Sequence, residues 1–285
     1  MTSSATGRWL LLAALWSLQF IFMRLAVPVF GSAVVAEWRA LLGALFLVAY
    51  TAWIVRRPLA PLAHWRDYLA VGLTNNVLPF LLYAWAASTL PAGYLSVING
   101  LVPLWAAMFA AWLLRERLRA SRIAGFAFGL AGVALIARLG PVELDSRAAL
   151  GALAAVAAAT VWGWAGVVIK QRNRRVPSME LAVGSIGSAA IIMSPLALAT
   201  PPTASWTLEA SAGLLALGIL ISGLAYVPFF TLIRDIGPTR TLAVGLTVPL
   251  LGILWGWLLL GEALTASMFA GAALVILGLL LVMKR

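Results

Sequence analysis

The sequence repeats itself after 146 residues. With that shift, identical or chemically similar residues coincide along the chain: Trp16 with Trp162, Arg24 with Lys170, Gly72 with Gly218, Pro103 with Pro249, Glu116 with Glu262, and Gly125 and Gly132 with Gly271 and Gly278. A long internal repeat in an apolar chain is typical of membrane transporters built from two related halves, with the substrate path between them. The repeat therefore points to a carried solute rather than to a chemical reaction.

The composition predicts a protein that lies within a lipid bilayer. Apolar residues make up 63% of the chain, charged residues only 10%, and the mean hydropathy is +1.02, whereas about a quarter of the residues of a soluble domain are charged. A transmembrane helix needs about 20 predominantly apolar residues. The longest stretch without a charged residue, residues 68–114, is long enough for two such helices.

The apolar runs are interpreted as ten transmembrane helices, five in each half of the repeat. They are predicted at residues 8–27, 34–55, 67–88, 91–114, 121–138, 148–170, 177–198, 210–234, 237–260 and 264–283. The first five-helix repeat is assigned to residues 1–139, a linker to residues 140–147 and the second repeat to residues 148–285. Ten helices leave only short connections, so a further soluble domain is not expected.

The basic residues predict the orientation of these helices. If the N-terminus lies in the cytoplasm, 16 of the 20 basic residues fall in the cytoplasmic connections and termini, as expected from the excess of Lys and Arg on that side of membranes. This distribution explains the net charge of +11 without nucleic acid binding, and it places both termini in the cytoplasm. The four other basic residues are Arg24, Arg39, Arg138 and Arg147.

An odd number of helices in each half gives the two halves opposite orientations in the membrane. The loop Arg115-Glu116-Arg117 is strongly basic, whereas the equivalent Gly261-Glu262-Ala263 has lost both arginines, as expected for a periplasmic position. The predicted fold class is therefore an all-α integral membrane protein of ten transmembrane helices, arranged as two inverted five-helix repeats. The expected location is a bacterial inner membrane, with the linker in the periplasm.

Four prolines inside the predicted spans are candidate hinges. A proline has no amide hydrogen, so the carbonyl oxygen four residues earlier loses its helical donor, and such carbonyls are tolerated in a membrane only where they face protein or a water-filled cavity. The prolines are Pro79, Pro103, Pro228 and Pro249, and the carbonyls belong to Asn75, Asn99, Leu224 and Gly245. Prolines are also simply frequent in membrane helices, which is the alternative explanation.

Polar and aromatic side chains within the spans are candidate substrate contacts. Polar side chains at that depth usually face the interior of a helix bundle, and tryptophans far from span ends do not fit the interfacial aromatic belt. Pockets with apolar and aromatic walls and a few polar groups suit ring-bearing ligands. Interhelical hydrogen bonds and plain packing are the alternatives. The candidates are Trp16, Gln19, Asn76, Phe80, Tyr83, Ser96, Asn99, Trp162 and Trp164.

Two ionisable residues lie within the second predicted span. Glu37 and Arg39 are two positions apart, so their side chains point to nearly opposite sides of a helix and do not pair with each other. Glu37 is expected to reach Arg24, which leaves Arg39 free to meet a carboxylate, a carbonyl or water. Proton coupling needs a titrating group exposed alternately to both sides. A paired Glu37 is a poor candidate, so transport down the solute gradient is expected.

Several motifs together resemble the drug/metabolite transporter superfamily, in its ten-helix EamA-type branch. They are Trp16-Ser17 with its repeat Trp162-Gly163, the run Arg39-Ala40-Leu41-Leu42, and a proline followed by an apolar run and an acidic turn, from Pro103 to Leu118 and from Pro249 to Leu264. The resemblance implies export of small metabolites through a central cavity between the halves. Within the family, the aromatic-rich path is most similar to that of an exporter of aromatic amino acids.

The resulting prediction is a monomeric, alternating-access exporter of small organic solutes, in particular amino acids including aromatic ones. Its expected partners are the small-molecule substrate and the lipid bilayer, with no cofactor, metal ion or nucleic acid. Drugs and nucleotide or sugar derivatives are the alternative cargo. A membrane-embedded enzyme is less consistent with a chain that has no cysteine and one histidine, and a passive channel would show flux that does not saturate.

Overall fold

The fold consists of long helices joined by short connections. The computed structural model describes residues 3–56, 62–113, 120–139, 145–201, 204–237 and 241–283, and these residues contain no β-strand. All described helices except α5, α9 and α10 are long and apolar enough to cross a membrane. The helices are α1 (Ala5–Phe30), α2 (Ser32–Val55), α3 (Leu62–Ala87), α4 (Ala92–Leu113), α5 (Ala120–Leu139), α6 (Ser146–Arg172), α7 (Ser178–Leu198), α8 (Leu208–Ile236), α9 (Val248–Leu260) and α10 (Ala266–Met283).

The observed helices follow the predicted spans to within about one turn at most ends. The spans predicted at 8–27 and 148–170, for example, are the helices Ala5–Phe30 and Ser146–Arg172. The all-α prediction is confirmed for the described residues, whereas the count of ten transmembrane helices stays a prediction. The loop at residues 115–117 and residues 140–144 of the predicted linker lie outside the described part of the chain.

Four helical regions depart from regular α-helical geometry at positions related by the repeat. α3 contains a π-helical stretch at Gly72–Val77, and α8 contains one at Leu217–Leu224. α4 is interrupted by a turn at residues 100–101, and a 3-10 turn at Ala243–Leu246 precedes α9. The 146-residue shift brings the two members of each pair into overlap. Such irregular segments inside helices often mark functional sites.

Helices that are equivalent in the repeat make equivalent contacts. α1 packs against α8 as α6 packs against α3, and α2 packs against α8 as α7 packs against α3. Small residues allow these helices to approach closely. A Cβ atom at Gly72 would collide with Ser188, and one at the equivalent Gly218 would collide with Leu42. Buried apolar side chains from both halves form one continuous core. The halves are therefore interleaved, and we call the boundary between them the seam.

Helices α5 and α10 pack on each other along their glycines. A Cβ atom at Gly132 would collide with the main chain at Gly271, and one at Gly278 would collide with the main chain at Gly125. Small residues let two helix backbones approach closely in membranes. The glycines therefore form a packing surface between two helices of the same chain.

Candidate substrate-binding cavity

A narrow cavity, with about 30 Å³ of space accessible to water, lies at the seam. Helices α1 to α4 line it with Trp16, Gln19, Arg39, Asn75, Asn99 and Pro103. Helices α6 and α8 and the segment before α9 line it with Trp162, Tyr226, Phe229 and Val244. Both halves therefore build the walls of one site.

Two aromatic contacts related by the repeat lie at the cavity. Trp16 packs against Phe229 with ring centroids 4.8 Å apart, and Trp162 packs against Tyr83 with ring centroids 5.0 Å apart. The 146-residue shift relates Trp16 to Trp162 and Tyr83 to Phe229. Each contact joins one half of the chain to the other, so the same aromatic pair occurs twice across the seam.

The Trp162 indole also binds a main-chain oxygen four residues before a proline. Its Nε1 donates a hydrogen bond of 2.7 Å to the carbonyl oxygen of Asn75. In a regular helix the amide of residue 79 would be the donor, but Pro79 has none. The contact satisfies a buried carbonyl and fixes the orientation of the indole at the cavity.

A polar cluster orients the Asn75 side chain. The Tyr226 hydroxyl donates to Oδ1 of Asn76 at 2.6 Å and accepts from Nδ2 of Asn75 at 3.2 Å, and the Asn75 amide also donates to Asn76 at 3.1 Å. The Tyr83 hydroxyl donates to Oδ1 of Asn99 at 3.2 Å. Buried polar groups that are hydrogen-bonded to each other rigidify their surroundings, so both asparagines at the cavity are held by buried tyrosines.

Among the described residues, Arg39 is the only charged side chain that lines the cavity. It is almost completely buried. Its Nε donates to the Ser222 hydroxyl at 2.8 Å and its Nη2 donates to Oε1 of Gln19 at 3.2 Å. Its Cζ lies 3.9 Å from the centroid of the Phe80 ring. All three partners are neutral, and each comes from a different helix.

The predicted contact between Glu37 and Arg24 is wrong. The Arg24 guanidinium donates to the carbonyl oxygen of Ala87 at 2.9 Å, at the end of α3, where helical carbonyls lack partners and a positive charge is favourable. Glu37 lies in a separate groove between α2 and α7, and its Oε2 has no hydrogen-bond partner among the described residues. Glu37 and Arg39 do face different sides of α2, as predicted.

The structure separates the predicted substrate contacts into three groups. Those that line the cavity are Trp16, Gln19, Asn99 and Trp162. Those fully buried in the layer behind it are Asn76, Phe80 and Tyr83. Two lie elsewhere: Ser96 packs against Gly252 of α9, and Trp164 packs against Phe109 and Trp112. Trp164 points away because it is two positions from Trp162 on one helix. Substrate contact of the others stays a prediction.

Sequence reasoning missed Tyr226 and Phe229, which line the cavity. A signal for them was present, because the 146-residue shift places Phe80 on Tyr226 and Tyr83 on Phe229. Phe80 and Tyr83 themselves were among the predicted substrate contacts. The equivalent helix face in the second half carries aromatic residues but no asparagines. The search for polar residues within the spans therefore did not identify it as a candidate site.

The candidate hinge prolines all lie in the first turn of a helical segment. Pro79, Pro103 and Pro249 are the second residues of the segments that begin at residues 78, 102 and 248, and Pro228 is the third residue of the segment that begins at residue 226. Amides in a first turn have no partner within their own segment, so proline is well tolerated there. Each proline follows one of the irregular stretches described above, and flexing at these positions stays a prediction.

The carboxylate of Glu262 joins the two halves across the seam. Its Oε1 accepts a hydrogen bond from the amide of Ala92 at 2.7 Å, and its Oε2 accepts from the amide of Gly93 at 3.0 Å. These amides begin α4, where donors lack helical partners and negative charge is stabilising. An acidic residue of the second half thus caps a helix of the first.

Another part of the seam carries an ion-pair cluster. Asp67 of α3 accepts hydrogen bonds from Arg172 at 2.6 Å and from Arg175 at 2.8 Å, both near the C-terminal end of α6. Tyr68 donates to Glu180 of α7 at 2.6 Å. These contacts again join the first half to the second.

The family is decided by comparison with known sequences. Two segments, residues 8–138 and 149–284, match the EamA-like transporter family. The chain belongs to that family. This EamA-like protein is therefore a membrane transporter and not an enzyme, and the resemblance inferred from the sequence motifs is confirmed.

Relatives of this EamA-like transporter are similar over nearly its whole length. A probable amino-acid metabolite efflux pump of Salmonella typhimurium is 28% identical, with 95% of this chain and 91% of the relative covered. A probable terminal-alkyne amino-acid exporter of Streptantibioticus cattleyicolor is 27% identical, with 99% and 94% covered. An uncharacterised transporter of Bacillus subtilis is 23% identical, with 93% and 91% covered.

The fold also occurs in a protein of known crystal structure. The match has a TM-score of 0.68 and a sequence identity of 24%, and it covers 99% of the EamA-like transporter and 97% of the other chain. The likeness extends over both halves, so the interleaved helix arrangement is shared as a whole.

Proposed function

We propose that this EamA-like transporter is an alternating-access exporter of small organic solutes, in particular amino acids including aromatic ones. It lies in a bacterial inner membrane as a monomer of ten transmembrane helices in two inverted repeats, residues 1–139 and 148–285, with both termini in the cytoplasm. The observation that carries the proposal is the cavity at the seam, to which the two halves contribute repeat-related residues such as Trp16 and Trp162.

The helix contacts support the inverted repeats. Exchanging the halves converts the contact between α1 and α8 into that between α6 and α3, as a pseudo-twofold axis requires. Basic residues support the orientation, because Arg172, Arg174 and Arg175 cluster around the C-terminal end of α6. In the proposed topology this end faces the cytoplasm, where Lys and Arg are enriched.

The contacts across the seam support alternating access. In the proposed topology the Glu262 cap on α4 lies at the periplasmic side, and the Asp67 cluster with Arg172 and Arg175 lies at the cytoplasmic side. Rocking one half against the other would break one set of contacts while keeping the other. The cavity between them would then open to one side at a time.

The cavity walls support amino acid cargo with an aromatic side chain. Trp16, Trp162, Tyr226 and Phe229 offer ring surfaces, and aromatic rings stack favourably at centroid distances of about 4.5–7 Å. Asn75, Asn99 and Gln19 supply a few polar groups among them. Two relatives that cover this chain almost completely are named for amino acids or their metabolites.

The absence of an acidic side chain from the described cavity lining supports transport down the solute gradient. A proton-coupled carrier needs a titrating group that both sides reach in turn. Glu37 does not line this cavity. The direction of net flux would therefore follow the solute concentration, which favours export when the solute accumulates in the cytoplasm.

The test is counterflow with the purified full chain in liposomes. Vesicles preloaded with unlabelled L-phenylalanine should transiently accumulate external labelled L-phenylalanine above its equilibrium level, with a rate that saturates. Other amino acids should compete, whereas a nucleotide sugar and a cationic dye should not. Flux that neither saturates nor shows counterflow would identify a channel, and competition by the nucleotide sugar or the dye alone would overturn the proposed cargo.

A further inference from the structure

Arg39 carries a buried charge that the described part of the chain does not neutralise. Its residue surface is only 2% exposed, and none of the ion pairs between described residues involves it. Its hydrogen-bond partners Ser222 and Gln19 are neutral. Burial of a charge without an opposite charge is strongly unfavourable. A counter-charge that enters the cavity would remove this cost.

The protein holds the guanidinium in one orientation and leaves one end of it unused. Nε is bound to Ser222, one hydrogen of Nη2 is bound to Gln19, and the ring of Phe80 lies against the flat face. Nη1 has no hydrogen-bond partner among the described residues. A guanidinium has five N–H donors, so both hydrogens of Nη1 and the second hydrogen of Nη2 remain at the end of a side chain that lines the cavity.

We infer, on the basis of the proposed transport function, that Arg39 binds the carboxylate of the transported solute. Two neighbouring N–H groups at the end of a guanidinium match the two oxygens of a carboxylate and give a strong, directional pair. The neutral partners position the Arg39 guanidinium but do not neutralise its positive charge. The recognised substrate class is therefore a monocarboxylate whose ring lies against the aromatic walls.

The charge balance of the cavity narrows this class further. Among the described lining residues there is no second cation beside Arg39, so a phosphate, which carries about −1.5 to −2 charges at neutral pH, would be only partly neutralised. There is no acidic lining residue either, so nothing there requires an ammonium group. An amino group would instead meet ring faces such as that of Trp16, which attract cations more weakly. The carboxylate is thus essential for binding and the amino group is dispensable.

Calorimetric titration of the purified full chain in detergent tests this ligand preference. The probes are L-phenylalanine, 3-phenylpropionate, L-phenylalaninamide, phenethylamine and phenyl phosphate. We expect the first two to bind with similar affinity and the other three to bind at least about tenfold more weakly, as expected when a hydrogen-bonded charge pair is lost. Equal binding of L-phenylalaninamide, tighter binding of phenyl phosphate, or failure of both carboxylates to bind would overturn the inference.

Variants locate the preference at Arg39. In Arg39→Gln the two carboxylates should lose affinity by about tenfold or more while phenethylamine changes little, and Arg39→Lys should restore part of the loss. Arg24→Gln is the matched control, because Arg24 is a second arginine within an apolar helix but donates to Ala87 outside the cavity lining. An Arg39→Gln protein that keeps the wild-type preference would overturn the inference.

The wild-type ligand comparison tests the carboxylate requirement without depending on the folding of any variant, and the variants then assign that requirement to Arg39. The binding measurement is also separate from transport. If the carboxylates bind through Arg39 but liposomes show no counterflow, the proposed transport function fails while the Arg39 inference stands. If counterflow is seen and L-phenylalaninamide competes as well as L-phenylalanine, the transport function stands and the Arg39 inference fails.

Discussion

The indole nitrogen of Trp162 donates a 2.7 Å hydrogen bond to the main-chain oxygen of Asn75. In a regular α-helix residue 79 would donate to this oxygen, but Pro79 has no amide hydrogen, and the Trp162 donor comes from the other half of the chain. The contact therefore connects three features that the sequence presents separately, namely a proline inside a span, a repeated tryptophan and the seam. It also places the Trp162 ring at the wall of the cavity.

Replacement of Trp162 by phenylalanine tests this contact. Trp162→Phe keeps an aromatic ring but removes the donor, so the Asn75 oxygen is left without this partner, at a cost of about 1–3 kcal/mol in the free energy of unfolding. Transport of aromatic cargo should fall as well, because the ring is no longer oriented. Thermal unfolding and liposome flux measure the two effects.

Trp164→Phe is the control for that variant, since Trp164 packs against Phe109 and Trp112 and does not line the cavity. We expect it to change transport little. If the two variants lose transport equally, Trp162 acts only through packing.

Much of the fold could be predicted from the sequence because its signals are strong and repeated. Apolar runs of about 20 residues mark helices in a membrane, and the equivalence of Trp16 and Trp162 marks the two halves. The π-helical stretches and the break after Asn99 could not be predicted. These irregular segments depend on how the prolines and glycines of one helix pack against the adjacent helices. The residue pattern of one helix does not carry that information.

Pro103, at the start of the second segment of α4, and Pro249, at the start of α9, are predicted to keep these segments separate from the turns before them. Pro249→Ala and Pro103→Ala each restore an amide donor, so the interrupted region can become regular helix. Turnover in liposomes should slow severalfold, with substrate affinity changed less than rate. The free energy of unfolding should change by less than about 1 kcal/mol. Wild-type turnover in both variants would exclude a gating role.

The Asp67 cluster is predicted to stabilise the contact between α3 and α6. Asp67 is buried and accepts from both Arg172 and Arg175, so Asp67→Asn should lower the free energy of unfolding by about 1–3 kcal/mol. Asp235→Asn is the matched control, because its ion pairs with Arg8 and Arg234 are more exposed and such pairs contribute less than about 1 kcal/mol. Equal effects of the two changes would contradict the assignment.

The site residues were only partly predictable, and Arg39 shows why. The sequence indicates that Arg39 and Glu37 face different sides of a helix, but not that Arg24 turns to the end of α3. The orientation of the Arg24 side chain depends on the position of the Ala87 carbonyl oxygen. That position is set by how the helices pack in the bundle. Tyr226 was missed for a different reason, because its equivalence to Phe80 becomes informative only when the repeat is applied to the candidate site itself.

The orientation can be tested with single cysteines, since the chain has none of its own. Cysteines at Arg57, Arg117 and Arg174 should be shielded from an impermeant thiol reagent added to the periplasmic side, while cysteines at Ser146 and Ser205 should react. Residues 57 and 117 lie outside the described part of the chain, and Arg174 lies in the turn that follows α6. Labelling of the arginine positions from the periplasm would reverse the topology.

The most direct measurement is the accessibility of the cavity itself from the two sides of the membrane. Val102 lines the cavity, and Val102→Cys changes the side-chain volume little. In vesicles of opposite orientation, an impermeant thiol reagent should reach this cysteine from either side, and saturating L-phenylalanine should slow both reactions. Reaction from one side only, with no protection by the solute, would show a closed pocket and contradict alternating access through the seam.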